Sequence, residues 1–164
     1  AKLSQKDTDA RWTKKHAKSY YGYKNHVNVD SKHKLIREYE VTSASVHDSQ
    51  VIDKLITAND NSKDIYADSA YRSRQREKQL RTEGFRSHIC TKSRRNKKLG
   101  KFQKALNKRR ARIRARVEHV FGAMSQSMGA YLIRCIGKVR ATARIGLNNL
   151  KYTMRRYCYL AGAA

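Results

Sequence analysis

The chain has 164 residues, which suits one domain, and its 38 Lys and Arg residues against 13 Asp and Glu residues give a formal net charge of +25. That charge favours a polyanionic partner, above all nucleic acid, over a membrane, because no apolar run approaches the roughly 18 residues of a spanning helix. The three cysteines are widely separated, which argues against a disulfide framework and against a zinc ribbon.

A basic segment opens the chain. Residues 1–19 carry six Lys and Arg residues and little apolar content, so we predict an N-terminal arm and not a strand. Strand-forming residues are frequent over 19–29 and again over 35–46, and the polar residues 30–33 between them are typical of a turn. These two runs predict an antiparallel hairpin.

Four aromatic residues lie in or near the first strand of this hairpin, namely Trp12, Tyr20, Tyr21 and Tyr23. Aromatic rings beside cations can stack on unpaired nucleic-acid bases. Aromatic residues more often fill one face of a sheet, and packing is the interpretation that we favour here.

Helices and strands then alternate. Ser45 or Asp48 can cap a helix that carries apolar residues over 51–56, and a short strand follows at 65–67. A second helix is predicted over 73–82, then a strand over 85–89 and a basic loop over 91–104. This order indicates an α/β layer architecture.

Two longer helices complete the chain. The first is predicted from about residue 106 to residue 124, because its apolar residues recur on one side at helical spacing. A terminal helix over 139–160 also has an apolar face, formed by Ala143, Leu147, Leu150, Met154 and Tyr157.

Glu118 is the only carboxylate in the last 81 residues. It follows Arg114 by one helical turn, so the simplest interpretation is an exposed i,i+4 ion pair. In a chain so rich in cations, however, a lone carboxylate is expected where chemistry or a buried partner requires one.

Asp68 follows a short strand directly, at the position where open α/β sheets place ligand crevices. Its simpler interpretation is a helix N-cap. Two carboxylates that converge beneath a basic surface would form an oxygen site for Mg²⁺, and two such ions can clamp the oxygens of a phosphoryl transfer. We therefore expect the carboxyl groups of Asp68 and Glu118 to lie roughly 4–8 Å apart.

Thirteen Lys and Arg residues, and no acidic residue, lie between positions 91 and 117. A charge run is often only a solvated face, but this density favours contacts with phosphates. The candidate DNA-binding residues are Lys92, Arg94, Arg95, Lys97, Lys98, Lys101, Arg109, Arg110, Arg112 and Arg116.

Five stretches of the chain resemble, in order, the carboxyl-terminal part of the bacterial insertion-sequence transposases of the DDE class. They cover residues 6–15, 21–27, 46–49, 66–72 and 114–122. The resemblance implies a ribonuclease-H-like catalytic domain over 20–160, with a mixed sheet and flanking helices. It also implies an enzyme that cleaves and transfers DNA strands with Mg²⁺ or Mn²⁺, acts on transposon ends and target DNA, and works in the cytoplasm at the nucleoid, as a possible homodimer.

The resemblance further implies roles for three residues. Asp68 is the second Asp of the catalytic triad, Glu118 is its Glu, and Arg114 is the Arg that precedes that Glu by four positions. Asp68 and Glu118 would then be metal ligands. The chain departs from the family where Ser125 replaces a Lys seven residues after the Glu.

A second departure concerns the first Asp of the triad. No apolar strand within residues 1–10 can present it, so neither Asp7 nor Asp9 is assigned that role. We therefore expect the first strand to be missing and the chain to be a truncated, inactive transposase. Its metal site would be incomplete, with weak or absent binding of Mg²⁺ or Mn²⁺.

Two other functions remain open from the sequence. One is a non-catalytic basic module that binds nucleic acid by charge alone, which predicts that Asp68 and Glu118 do not converge. The other is a ribonuclease-H-like nuclease with no part in transposition.

Overall fold

Strands and helices alternate in the computed structural model, which describes residues 6–15, 17–57, 62–93, 98–130 and 132–162. The strands are β1 Arg11–Lys15, β2 Lys18–Val29, β3 Ile36–Ser43, β4 Asp64–Ile65 and β5 Arg86–Ser87. The helices are α1 Ile52–Leu55, α2 Arg74–Thr82, α3 Lys101–Met128 and α4 Lys138–Leu160, with 3₁₀ turns at Asp48–Gln50 and Ser69–Tyr71. The α/β class expected from the sequence is confirmed.

β2 is the strand that organises the larger sheet. β1 pairs antiparallel with residues 18–22 of β2, and β3 pairs antiparallel with residues 23–29. β4 and β5 pair with each other in parallel and form a separate small sheet. Within the described ranges the strands thus make two sheets, and the expectation of one mixed sheet is not met, because β4 and β5 are only two residues long and bond to each other.

The hairpin of β2 and β3 is confirmed, and its turn is held by side-chain caps. The Asp30 carboxylate accepts hydrogen bonds from the backbone N–H groups of Lys32 and His33, at 3.0 and 2.8 Å. Lys34 closes the turn with a φ of 62°, in the left-handed region.

The prediction that residues 1–19 form an arm without strand structure is wrong for residues 11–15. These residues pair with β2 in continuous register, from Arg11 opposite Gly22 to Lys15 opposite Lys18. Ala17 takes a φ of 62° in the tight turn, the left-handed conformation that short hairpin loops need. Backbone pairing with β2 therefore overrides the low strand propensity of the lysines.

The capping prediction for the first helix is also wrong. The N-cap residue of α1 is Val51, which makes no side-chain cap hydrogen bond. His47 instead caps the preceding 3₁₀ turn Asp48–Gln50, where its Nδ1 accepts from the Ser49 N–H at 3.2 Å. The Asp48 carboxylate is instead 3.0 Å from Lys24 Nζ on β2. The ion pair with Lys24 on β2 engages the Asp48 carboxylate, and His47 is the residue that caps the turn.

α3 begins at Lys101, five residues earlier than predicted, and ends at Gly129, whose φ is 60°. The last residues of the predicted basic loop 91–104 are therefore helical. Val120 and Met124 of α3 pack with Tyr152 of α4 against Val29 and Ile36 at the end of the hairpin. Of the apolar stripe predicted for α3, Val120 and Met124 are buried as expected, whereas Phe121 is 38% exposed.

α4 buries a different side from the one that its apolar residues suggest. Ala141, Ile145, Asn149 and Tyr152 are buried, whereas the predicted apolar face 143, 147, 150, 154 and 157 is exposed. Asn149 exchanges hydrogen bonds with Asn25 of β2, at 2.8 and 3.2 Å. Since an amide buried without a partner is costly, this pairing fixes the side of α4 that faces the sheet. Neither α3 nor α4, as described, has an 18-residue stretch apolar enough to cross a membrane.

His26 supplies a pH-dependent part of the stability. Its ring is 7% exposed and its Nε2 lies 2.8 Å from the Thr42 hydroxyl. Burial lowers the pKa of His26 below 6.5 and Lys24 lowers it further, which outweighs the opposite effect of Asp48 and Glu40.

We expect the free energy of unfolding to fall as the pH drops below about 6.5. A folded-state pKa below the unfolded one means that the unfolded chain takes up the His26 proton first, so the stabilisation is complete only above that pH. Urea midpoints at neutral and mildly acidic pH would be compared for the parent and His26→Gln. The parent should lose more stability than the variant, and equal losses would contradict the assignment.

Candidate functional site

Asp68 lies three residues after β4, at the sheet end where the sequence placed it. Its Oδ1 accepts from the Ser69 N–H at 2.6 Å and caps the turn Ser69–Tyr71, so the capping interpretation is confirmed. The side chain is exposed. An ionised carboxylate has about four acceptor positions, so this cap leaves capacity for a further ligand.

The turn after Asp68 packs against the turn at Asp48–Gln50. Burial raises the pKa of Tyr71 to about 12, and the negative charges of Asp48 and Asp68 contribute to that rise. Asp48 and Asp68, from two separate segments of the chain, thus both raise the pKa of the Tyr71 hydroxyl. Sequence reasoning did not connect these two carboxylates, although residues 46–49 were among the stretches that carried the resemblance.

Glu118 forms the ion pair that its spacing predicts. Its Oε1 is 3.2 Å from Nη2 of Arg114, and its side chain is 63% exposed. Such pairs on a helix surface contribute only about 0.3–0.5 kcal/mol, so stability does not explain the carboxylate. Arg114 is more enclosed, and its Nε is buried without a hydrogen-bond partner.

Asp68 and Glu118 have different immediate partners. Asp68 caps its own turn beside Tyr71, whereas Glu118 faces Arg114, and its neighbour His119 lies 3.2 Å from Lys34 Nζ at the hairpin turn. Both carboxylates are oxygen donors of the type that Mg²⁺ takes. In the described ranges no group of three or more His, Cys, Asp and Glu side chains is placed to hold a metal ion. The expected 4–8 Å separation stays a prediction.

Several hydrogen bonds tie α3 to the strands that lead to Asp68. Arg110 Nη1 donates to the Ile89 carbonyl at 2.8 Å, and the Asn107 amide bonds both backbone groups of Thr91, at 2.9 and 2.8 Å. The Cys90 N–H in turn donates to the carbonyl of Ala67, beside Asp68. Arg110 therefore has a structural role and is half-buried, although it was a candidate for DNA contact.

The other candidate cations are more accessible. Lys92, Lys98, Lys101, Arg109, Arg112 and Arg116 are exposed, whereas Arg94, Arg95 and Lys97 lie outside the described residues. Four exposed cations recur every fourth residue along α3, and we call them the basic ridge: Lys104, Lys108, Arg112 and Arg116. Two of them, Lys104 and Lys108, were not among the candidates. At 1.5 Å per residue the ridge extends about 18 Å along α3, so its four cations can contact successive phosphates of a nucleic-acid backbone.

Trp12, Tyr20 and Tyr21 do not fill a sheet face. They are 65%, 42% and 45% exposed, so the favoured packing interpretation is wrong for them. Tyr23 differs, because it is half-buried and its hydroxyl donates to the Asp7 carboxylate at 2.8 Å. Tyr23 is therefore packed whereas the other three rings are exposed, a difference that the spacing of the aromatic residues in the sequence did not predict.

Comparison with known proteins identifies the family. Residues 1–154 match the Transposase DDE domain family, which is nearly the whole chain. The chain belongs to this family. The resemblance read from residues 6–15 to 114–122 is thereby confirmed, and the Transposase DDE domain family is one of enzymes that cleave and transfer DNA.

One relative places this DDE domain among insertion-sequence proteins. The chain is 27% identical over 139 residues to the transposase for insertion sequence element IS1106 of Neisseria meningitidis serogroup B. The matched region is 85% of this chain and 48% of the relative, so the chain spans about half the length of that protein. No solved structure gives a significant match.

Proposed function

We propose that this chain forms the DNA-binding and carboxylate-bearing part of an insertion-sequence transposase that cleaves DNA strands and joins them to a target. The observation that carries the proposal is α3, where the basic ridge and the lone carboxylate Glu118 share one rigid helix in a chain of the DDE family. The antiparallel strands, the parallel pair β4–β5 and the long helices support a ribonuclease-H-like architecture. The complete protein would act as a homodimer on transposon ends and target DNA.

The proposed roles follow from the chemistry of each side chain. Asp68 and Glu118 would hold Mg²⁺ or Mn²⁺, which stabilises the attacking and leaving oxygens of a strand transfer when bound. Arg114 would keep the Glu118 carboxylate in one orientation, since the two side chains are 3.2 Å apart. The basic ridge would hold the DNA backbone through its phosphates.

We expect Fe²⁺ in place of Mg²⁺ to cut the backbone close to both carboxylates when ascorbate and peroxide generate hydroxyl radicals at the metal. Backbone cuts near both residue 68 and residue 118 would show that the two carboxylates bind the same metal ion. Asp68→Asn should then remove both sets of cuts, because an ion held between the two segments would lose one of its two carboxylate ligands.

Glu83→Gln provides a matched control, because it removes an exposed carboxylate that accepts its hydrogen bond from Gln79 within the α2 region and has no part in the proposed site. It should leave the cutting pattern intact. Cutting near residue 118 that persists in Asp68→Asn would show that the two carboxylates do not share a metal, and would favour a non-catalytic DNA-binding module.

A further inference from the structure

The hairpin of β1 and residues 18–22 of β2 is two strands wide. β3 pairs only with the later part of β2, from Tyr23 onward. Most side chains on both faces of this hairpin, which we call the ribbon, are therefore exposed. A two-stranded ribbon that leaves the sheet in this way presents its side chains to a partner and not to a core.

Two aromatic rings form a ledge on one face of the ribbon. Trp12 lies opposite Tyr21 in the register, their ring centroids are 5.1 Å apart, and their planes are inclined by 50°. Trp12 is 65% exposed and Tyr21 is 45% exposed. Aromatic side chains contribute most when they are buried, so a paired and exposed Trp suggests a surface that a ligand covers.

Hydrogen bonds to Asp7 hold the ledge in place. The Tyr21 hydroxyl donates to the backbone carbonyl of Asp7. The Asp7 carboxylate accepts from the Tyr23 hydroxyl at 2.8 Å and from the Gly137 N–H at 3.0 Å. Burial opposes ionisation of Asp7, but these hydrogen bonds outweigh it and lower its pKa.

Asp9 adds a second tether, since it accepts from the Lys138 N–H at 2.9 Å at the start of α4. An acidic residue is favourable at a helix N-terminus, so both aspartates stabilise this junction. The base of the ribbon is thus fixed to α4, and the aromatic ledge is preorganised.

The charge of the ribbon identifies the class of partner. Arg11, Lys14, Lys15 and Lys18 lie within residues 11–29, a range that contains no acidic residue. Cations interleaved with exposed aromatic rings are the combination that single-stranded nucleic acid prefers, because every base can stack while its phosphates are neutralised. The one guanidinium of the ribbon, that of Arg11, is held at its base, where Nη1 donates to the carbonyls of Thr8 and Ala10.

We propose that the ribbon binds unpaired bases of DNA, with a base stacked on Trp12 and Tyr21. Lys14 lies on the same face as these rings, and Lys15 and Lys18 face each other at the tip of the ribbon, so these three lysines can neutralise the flanking phosphates. This inference rests on the proposed function, since a transposase that cuts DNA produces strand ends whose bases can leave the duplex. It assigns the ribbon a contact separate from the basic ridge, which binds backbone phosphates regardless of base pairing.

Trp12 is the only tryptophan of the chain, so its fluorescence reports on the proposed contact alone. We expect a single-stranded oligothymidylate to quench this emission saturably, and a duplex of equal length to quench it less. Trp12→Ala should weaken single-strand binding about 5- to 150-fold, which corresponds to the roughly 1–3 kcal/mol of one stacked base. Trp12→Phe should restore most of the affinity, because phenylalanine also stacks.

Tyr157→Ala is the matched control, because Tyr157 is 65% exposed like Trp12 but lies on α4. It should bind single strands like the parent, and circular dichroism should show all variants folded. Trp12 emission that stays unchanged at DNA concentrations where fluorescence anisotropy of a labelled oligonucleotide shows saturation would overturn the proposal. Equal quenching by duplex would overturn it as well.

These outcomes separate the ribbon from the proposed function. A chain that binds DNA with an unresponsive Trp12 refutes only the ribbon. A chain that binds no DNA at low salt refutes the DNA-binding function itself. Neutralising the basic ridge should weaken duplex binding, and single strands should still quench the Trp12 emission once they saturate the chain.

Discussion

The affinity of the 164-residue chain for random-sequence duplex DNA is expected to fall about 10³- to 10⁵-fold between roughly 50 and 200 mM salt. That range corresponds to about 6–10 phosphates bound by cationic side chains, each of which releases counterions. The basic ridge and the other exposed cations of residues 92–116 can provide this number. Fluorescence anisotropy with a labelled duplex would measure the slope of log K against log salt.

A triple variant locates the cations that bind the duplex. Lys108→Gln, Arg112→Gln and Arg116→Gln together should make the slope shallower by up to about 2.7, because each neutralised phosphate adds about 0.9 to its steepness. The matched control removes three exposed cations of α4 by Arg140→Gln, Arg144→Gln and Lys151→Gln. The control should change the slope less. Equal changes in both variants would mean that the charge acts through the whole surface and that the ridge has no specific role.

The second large effect is on strand cleavage. The chain alone is expected to show no metal-dependent nicking of supercoiled DNA above background with Mg²⁺ or Mn²⁺. Asp68 and Glu118 are two carboxylates in a chain of net charge +25, and two divalent ions need more oxygen ligands than these residues offer. Asp68→Ala and Glu118→Ala should then be indistinguishable from the parent.

Nicking that requires metal and disappears in both variants would show that a third ligand lies within this chain. Asp48 would be the first residue to examine, because its turn packs against the turn that Asp68 caps and its ion-pair partner, Lys24, is a side chain. Asp7 and Asp9 are less suited, since their carboxylates bond the backbone at the start of α4. Asp30 is likewise occupied as the cap of the hairpin turn.

The sequence predicted those contacts of the candidate site that join residues close to each other in the chain. A carboxylate four residues after an arginine on a helix must lie near it, and Arg114 and Glu118 are indeed paired. An aspartate that follows a strand and precedes a turn is positioned to cap, and Asp68 does so. Whether two carboxylates 50 positions apart share a metal ion depends on long-range packing, which neither spacing nor composition determines.

By itself the sequence determined the family, the excess of positive charge, the β2–β3 hairpin and the positions of the helices, because these depend on residue type and near-neighbour periodicity. Only the tertiary structure decided which surfaces those elements expose. The Asn25–Asn149 pair turns the more apolar face of α4 outward, since the buried Asn149 amide must find a hydrogen-bond partner on the sheet. Pairing with β2 likewise makes a strand of residues 11–15 and leaves Trp12 on a ribbon too narrow to cover it.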